Sequence, residues 1–115
     1  MSLDSFNVSD TIAAGTALGS GFFAGDPHLV HVFMPATWTA ASLTFQTSPD
    51  GVTWQSAYDE AGTEISVVVA AGRNTRIPPN LLPATGWLRV RSGTAGTPVN
   101  QVAAATLTFR LRRYR

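Results

Sequence analysis

Apolar and polar residues alternate with period two along much of this chain, most cleanly near its C-terminal end. In residues 106–112, Leu107, Phe109 and Leu111 fall on one side of an extended backbone, and Thr106, Thr108, Arg110 and Arg112 on the other. Residues 87–91 repeat the pattern, with Leu88 and Val90 opposite Trp87, Arg89 and Arg91. Residues 42–47 place Leu43 and Phe45 on one face. Ser48-Pro49-Asp50-Gly51 then supplies a turn, because Asp-Gly accepts the positive φ angles of a hairpin. Alternation resumes at 52–55 with Val52 and Trp54 predicted inward, so residues 42–57 read as a hairpin. Asp59-Glu60-Ala61-Gly62 is the next turn, after which Ile65, Val67 and Val69 share a face. A short extended segment at 73–77 stops at Pro78-Pro79, and Leu29 to Met34 predicts a further strand. Residues 6–8 and 11–13 suggest a first hairpin or an arm, and the Gly-rich stretch 15–25, holding Phe22-Phe23, reads as a loop.

No segment keeps helical spacing over three turns, and turn residues recur about every 8 to 12 positions. The prediction is an all-β fold, an antiparallel β-sandwich of about eight strands with jelly-roll topology. Residues 1–26 would be an N-terminal arm or first hairpin with its Gly-rich loop, and residues 27–115 the sandwich.

The chain has 115 residues, one domain's worth, and a domain of this size buries roughly two-thirds of its unfolded surface. Without cysteine there is no disulfide, thiolate nucleophile or Cys-ligated zinc. The first positive side chain is Arg73, so no secretory signal is expected, and no apolar run approaches the roughly 20 residues of a membrane span. All seven acidic residues precede all eight basic ones, and every basic residue is arginine. That segregation suggests that the first half of one copy could meet the second half of the next. The sparse charge suggests a surface covered by partners.

Candidate chemistry is thin. His28 and His31 are three apart, which on a regular strand sends them to opposite faces, so a shared metal is not expected. No Gly-x-Ser-x-Gly, Walker or dinucleotide motif occurs. Asp59, Glu60 and Glu64 read as a solvated turn in preference to a calcium site. The expectation is therefore no catalytic, cofactor or metal residue, and no enzyme. Of Trp38, Trp54 and Trp87, alternation favours Trp87 as the surface residue. The arginine ladders are the most specific surface feature: if their strands are neighbours, Arg89, Arg91, Arg110 and Arg112 make one positive patch suited to carboxylates. A net charge of +1 and a pI near 8.4 argue against a dedicated nucleic-acid binder.

From Ala41 onward the chain resembles small virion proteins of tailed bacteriophages. The resemblance rests on residues 42–54, on Tyr58 to Glu64, on Trp87 to Gln101 and on Thr106 to Phe109, about two-thirds of the chain. The stretch Arg91-Ser92-Gly93-Thr94-Ala95-Gly96-Thr97-Pro98-Val99-Asn100-Gln101 is its most distinctive part. The resemblance implies a bacteriophage structural protein, assembled in the bacterial host cytoplasm and located in the virion. A capsid decoration (cement) protein is the first expectation, with the major capsid protein or other virion proteins as partners and a homotrimer favoured. Phe22, Phe23, Trp87, Arg89, Arg91, Arg110 and Arg112 are the expected interface, and no membrane is involved. A tail, collar or fibre component is the alternative within the same class. Residues 48–54 and 87–91 also resemble discoidin-type carbohydrate-binding domains, which keeps a glycan-binding attachment module as a further alternative.

Overall fold

The computed structural model describes residues 3–82 and 85–114. These residues form nine strands and no helix: β1 (Leu3–Ile12), β2 (Phe22–Gly25), β3 (His28–Phe33), β4 (Leu43–Ser48), β5 (Gln55–Ser56), β6 (Ser66–Val67), β7 (Asn74–Arg76), β8 (Gly86–Ser92) and β9 (Ala105–Tyr114). The chain is all-β, as the alternation predicts. Two antiparallel sheets share the strands. The first has the order β1-β9-β3-β7; the second has β2-β8-β4-β5, with β6 also on β4.

The core lies between the sheets and is built from the predicted apolar faces. Leu107, Phe109 and Leu111 of β9 are fully buried, as are Leu43 and Phe45 of β4, and Leu88 and Val90 of β8 are almost so. Each such side chain contributes about 1.5–3 kcal/mol on burial. Ile12, Leu29, Val32 and Ile77 complete the interior.

The N-terminal segment departs from expectation. Residues 3–12 are not a short hairpin or a free arm but one ten-residue strand paired along its length with β9. The stretch 15–25 is not wholly a loop, because β2 lies within it and pairs with β8. β1 and β2 sit in different sheets, so they form no hairpin. Propensity is outweighed here by tertiary pairing: small and Gly-rich residues become strand where a partner strand supplies the hydrogen bonds.

One buried side chain ties β1 to β8 at this crossing. Asp10 points inward from β1 and is 1% exposed. β2 begins opposite Leu88, leaving the Val90 N–H of β8 beyond its end. That N–H donates to Asp10 Oδ2 at 3.0 Å, while the Gly21 N–H and Ser20 hydroxyl donate to Oδ1 at 2.8 and 3.2 Å. Gly19 fits because it lacks a side chain: a Cβ there would stand 2.2 Å from Asp10 Oδ2.

The hairpin of β4 and β5 exists, but its return strand starts later than predicted. Asp50 Oδ1 accepts from the Val52 and Thr53 N–H groups at 2.8 and 2.9 Å, which coils residues 50–53 into a turn. Val52, predicted inward, is 80% exposed, and Trp54 lies half-buried on the outer face of the second sheet, under Arg89.

Candidate partner-binding face

The outer face of the first sheet gathers three arginines, Arg76, Arg110 and Arg112, that form no ion pair among the described residues. A register shift in β3 between Leu29 and His31 inserts one extra residue opposite β9. Because of it His28 lies opposite Arg112 and His31 opposite Arg110, and both of those arginines face outward. The two histidines therefore share a face, which corrects the expectation drawn from regular alternation. Across the sheet the register aligns Asn7, Arg110, His31 and Arg76, one from each strand. A second row holds Ser5, Arg112 and His28. Arg110 donates to Asn7 Oδ1 at 3.1 Å. The ion pairs among the described residues are Arg91–Glu64 and Arg113–Asp4, so Arg76, Arg110 and Arg112 have none. Phe33 adds an exposed ring 6.3 Å from that of His31. The His31 Nδ1 atom is buried without a hydrogen-bond partner among the described residues.

Arg89 and Arg91 do not join this face. β8 lies between β2 and β4 in the second sheet, while β9 lies between β1 and β3 in the first. Leu88 and Val90 meet the apolar face of β9 across the core, so the arginines of the two strands point to opposite outer surfaces. The expected four-arginine patch does not form. Arg91 is 5% exposed, not a surface anchor. It pairs with Glu64 at 2.6 Å and donates to the hydroxyls of Thr44 and Ser56 at 3.0 and 3.2 Å. Arg89 donates to Gln46 Oε1 at 2.7 Å and lies 4.4 Å from the centre of the Trp54 ring. Desolvation pulls the Arg89 pKa down from the usual arginine value; Asp10 opposes that shift and Arg91 adds to it.

The paired phenylalanines split by alternation on β2. Phe22 turns toward the core, 5.8 Å from Phe109, whereas Phe23 is 63% exposed and meets Trp87 edge-on at 5.3 Å. Trp87 is half-buried, with Gly51 against its ring. Beside Phe23 opens a cleft of about 420 Å³ lined by Phe6, Phe23, Gly25, Asp26, Pro27 and Arg113.

The acidic residues are spread over separate tasks. Asp59 Oδ1 accepts from the Ala61 and Thr63 N–H groups, both at 2.9 Å, and holds its turn. Glu64 serves Arg91 and the Ala95 N–H. No group of three His, Cys, Asp or Glu side chains converges to hold a metal among the described residues. Asp4 pairs with Arg113 across β1 and β9 at 3.2 Å. Acidic first half and basic second half thus meet partly inside one molecule, because β1 pairs with β9 from the far end of the chain. No helix among the described residues is long and apolar enough to cross a membrane.

Among the buried polar residues, Asp10 and Gln101 make internal links that sequence reasoning missed. Gln101 exchanges hydrogen bonds with the backbone of Thr39 through Oε1 and Nε2 at 2.8 and 2.9 Å. Asp10 belongs to no motif, and Gln101 closes the distinctive stretch 91–101 without any sign there that it is buried. The one sequence signal for Asp10 was its place at an inward position of an otherwise apolar alternation.

No family model matches the chain, and neither the curated proteins nor the solved structures contain a match to it.

Proposed function

We propose that this protein is a structural component of a bacteriophage particle, and in first place a decoration protein bound to the capsid shell. The observation that carries the reading is the outer face of the first sheet: Arg76, Arg110 and Arg112 form no ion pair among the described residues, while Arg91 and Arg113 are paired elsewhere. An arginine without a partner is suited to carboxylates of another protein, through two parallel hydrogen bonds per pair. The function is adhesive and non-catalytic: many copies, each adding a modest contact, stabilise a shell by avidity.

The strand orders support a jelly roll. Consecutive strands β1 to β4 alternate between sheets, and β7, β8 and β9 do so again, which is the connectivity of two Greek keys folded together. That fold serves capsid proteins and lectins alike, so it supports the class only by analogy.

The test is to locate and count the protein in purified particles. Many copies on the shell bear the reading out; a few copies at a vertex or tail tip transfer it to the tail, collar or fibre alternative. Absence from particles removes it.

A glycan-binding module is the second reading, favoured by the exposed Phe23, its contact with Trp87 and the neighbouring cleft with Asp26 and Arg113. Aromatic faces beside polar groups are the usual means of holding sugars. Specific glycan binding abolished by Phe23→Ala and Trp87→Ala would place this reading first.

A further inference from the structure

We infer that β1 is an assembly edge, where a second copy of this chain adds its own β1 in antiparallel alignment about a two-fold axis at Asn7. β1 pairs with β9 alone and so forms one edge of the first sheet. The Thr11 carbonyl accepts the Ser20 N–H at 3.1 Å from outside that sheet. In an antiparallel strand the backbone polar groups alternate in direction, so Ser5, Asn7 and Ser9 also aim theirs away from β9. Among the described residues, nothing bonds the N–H or carbonyl that each of them offers at the edge.

Native sheets normally blunt such an edge with charge, proline, a bulge or brevity. β1 has none of these over its middle. Its pairing with β9 is unbroken for ten residues, and residues 5–9, Ser-Phe-Asn-Val-Ser, carry no charge and no proline. The other edges are guarded. β7 has three residues, with Arg73 before it, Arg76 at its end and Pro78-Pro79 after it; β5 and β6 have two each; β2 has four and an irregular register.

The occupant is a second copy because the edge complements itself. Alignment about Asn7 sets Ser5 opposite the partner's Ser9, and Asn7 opposite its own counterpart, in hydrogen-bonded register, giving about six backbone bonds. The same alignment sets Phe6 opposite the partner's Val8. Both are only partly buried against their own core, and each gains cover from the other. Gly19 and Ser20 close over the end of β1 at Ile12 and Thr11, which stops the pairing at Ser9 and sets its register. A symmetric contact of this kind closes at two copies, and places both sets of Arg76, Arg110 and Arg112 on one extended outer face.

Sedimentation equilibrium and light scattering across a dilution series test this on the intact chain. The expected result is a reversible monomer–dimer equilibrium, with amide exchange at Ser5, Asn7 and Ser9 slowing as concentration rises. Asn7→Pro removes an edge donor but no bond to β9, a placement proline tolerates, so its circular dichroism should match the parent while its dimer Kd rises at least about tenfold. Asn7→Ala keeps the N–H and should dimerise like the parent. A chain monomeric at every concentration, a trimeric mass, or a dimer that survives Asn7→Pro overturns the inference. Should Asn7→Pro fail to fold, exchange at the three amides of the parent decides: rates independent of concentration overturn it.

Discussion

Single side chains in this protein hold positions that composition does not reveal. The Asp10 carboxylate replaces a missing stretch of β2 as hydrogen-bond acceptor for β8, and Gly19 is the residue that lets it do so. Gly19→Ala must displace the carboxylate and strand the Val90 N–H, so it should cost about 2–4 kcal/mol in urea unfolding, since bonds to a charged group are worth about 1.5–3 kcal/mol each. Gly96→Ala, where an added Cβ meets open space, serves as the neutral control. Asp50 gives a pH-dependent counterpart. The Thr53 and Val52 N–H groups, with the Ser48 hydroxyl, hold its carboxyl below the ordinary aspartate value. A depressed acid stabilises the fold above its unfolded pKa, and that contribution fades as pH falls through the folded value. An NMR titration should find the Asp50 midpoint below that of a free aspartate, and Ser48→Ala should raise it.

At the scale of strands, the two arginine ladders that look alike in sequence are different objects. Arg91 on β8 is buried against Glu64 and two hydroxyls, whereas Arg112 on β9 faces outward and forms no ion pair among the described residues. Breaking a buried pair leaves a charge without compensation, at about 3–5 kcal/mol, whereas surface charges are worth under about 1 kcal/mol. Chemical denaturation should therefore find Arg91→Leu destabilised by about 3 kcal/mol and Arg112→Glu nearly as stable as the parent. Equal effects would mean that the Arg91–Glu64 pair contributes little. The period-two pattern had marked both ladders as facing away from the core, and this holds for both strands. What lies over an outer face was not legible, because Glu64 reaches Arg91 from a loop 27 positions away in the chain.

For the whole molecule, the decisive feature is that the termini pair. β1 and β9 bring the acidic start and the basic end together, so Asp4 neutralises Arg113 within one chain. Of the arginines that remain, Arg76, Arg110 and Arg112 share the outer face of the first sheet, while Arg89 is held by Gln46 and Trp54 on the second. If that face holds the shell, Arg110→Glu combined with Arg112→Glu should leave the fold intact and weaken binding to particles, and binding by the parent should fall as salt rises, because exposed charges are screened. Retention of the double variant at parental levels would assign shell binding to another surface.

The sequence by itself determined the local half of this structure. Period-two alternation at 42–47, 87–91 and 106–112 identified β4, β8 and β9 and most of their buried residues, since in and out follow from the pleat alone, and the strand expected at 29–34 is β3. Asp50-Gly51 marked its turn for the same local reason, although the carboxylate coiled the following residues and moved Val52 out of the core. Only the tertiary structure decided which strands are neighbours. That choice rests on contacts between residues far apart in sequence, and it put Arg89 and Arg110 on opposite surfaces, turned the N-terminal segment into an edge strand and made Asp10 an interior acceptor. The extra residue in β3 belongs to the same class. Nothing in the sequence around Val30 signals it, yet pairing with β9 imposes it, and it brings His28 and His31 to one face because a single inserted residue reverses the alternation beyond it.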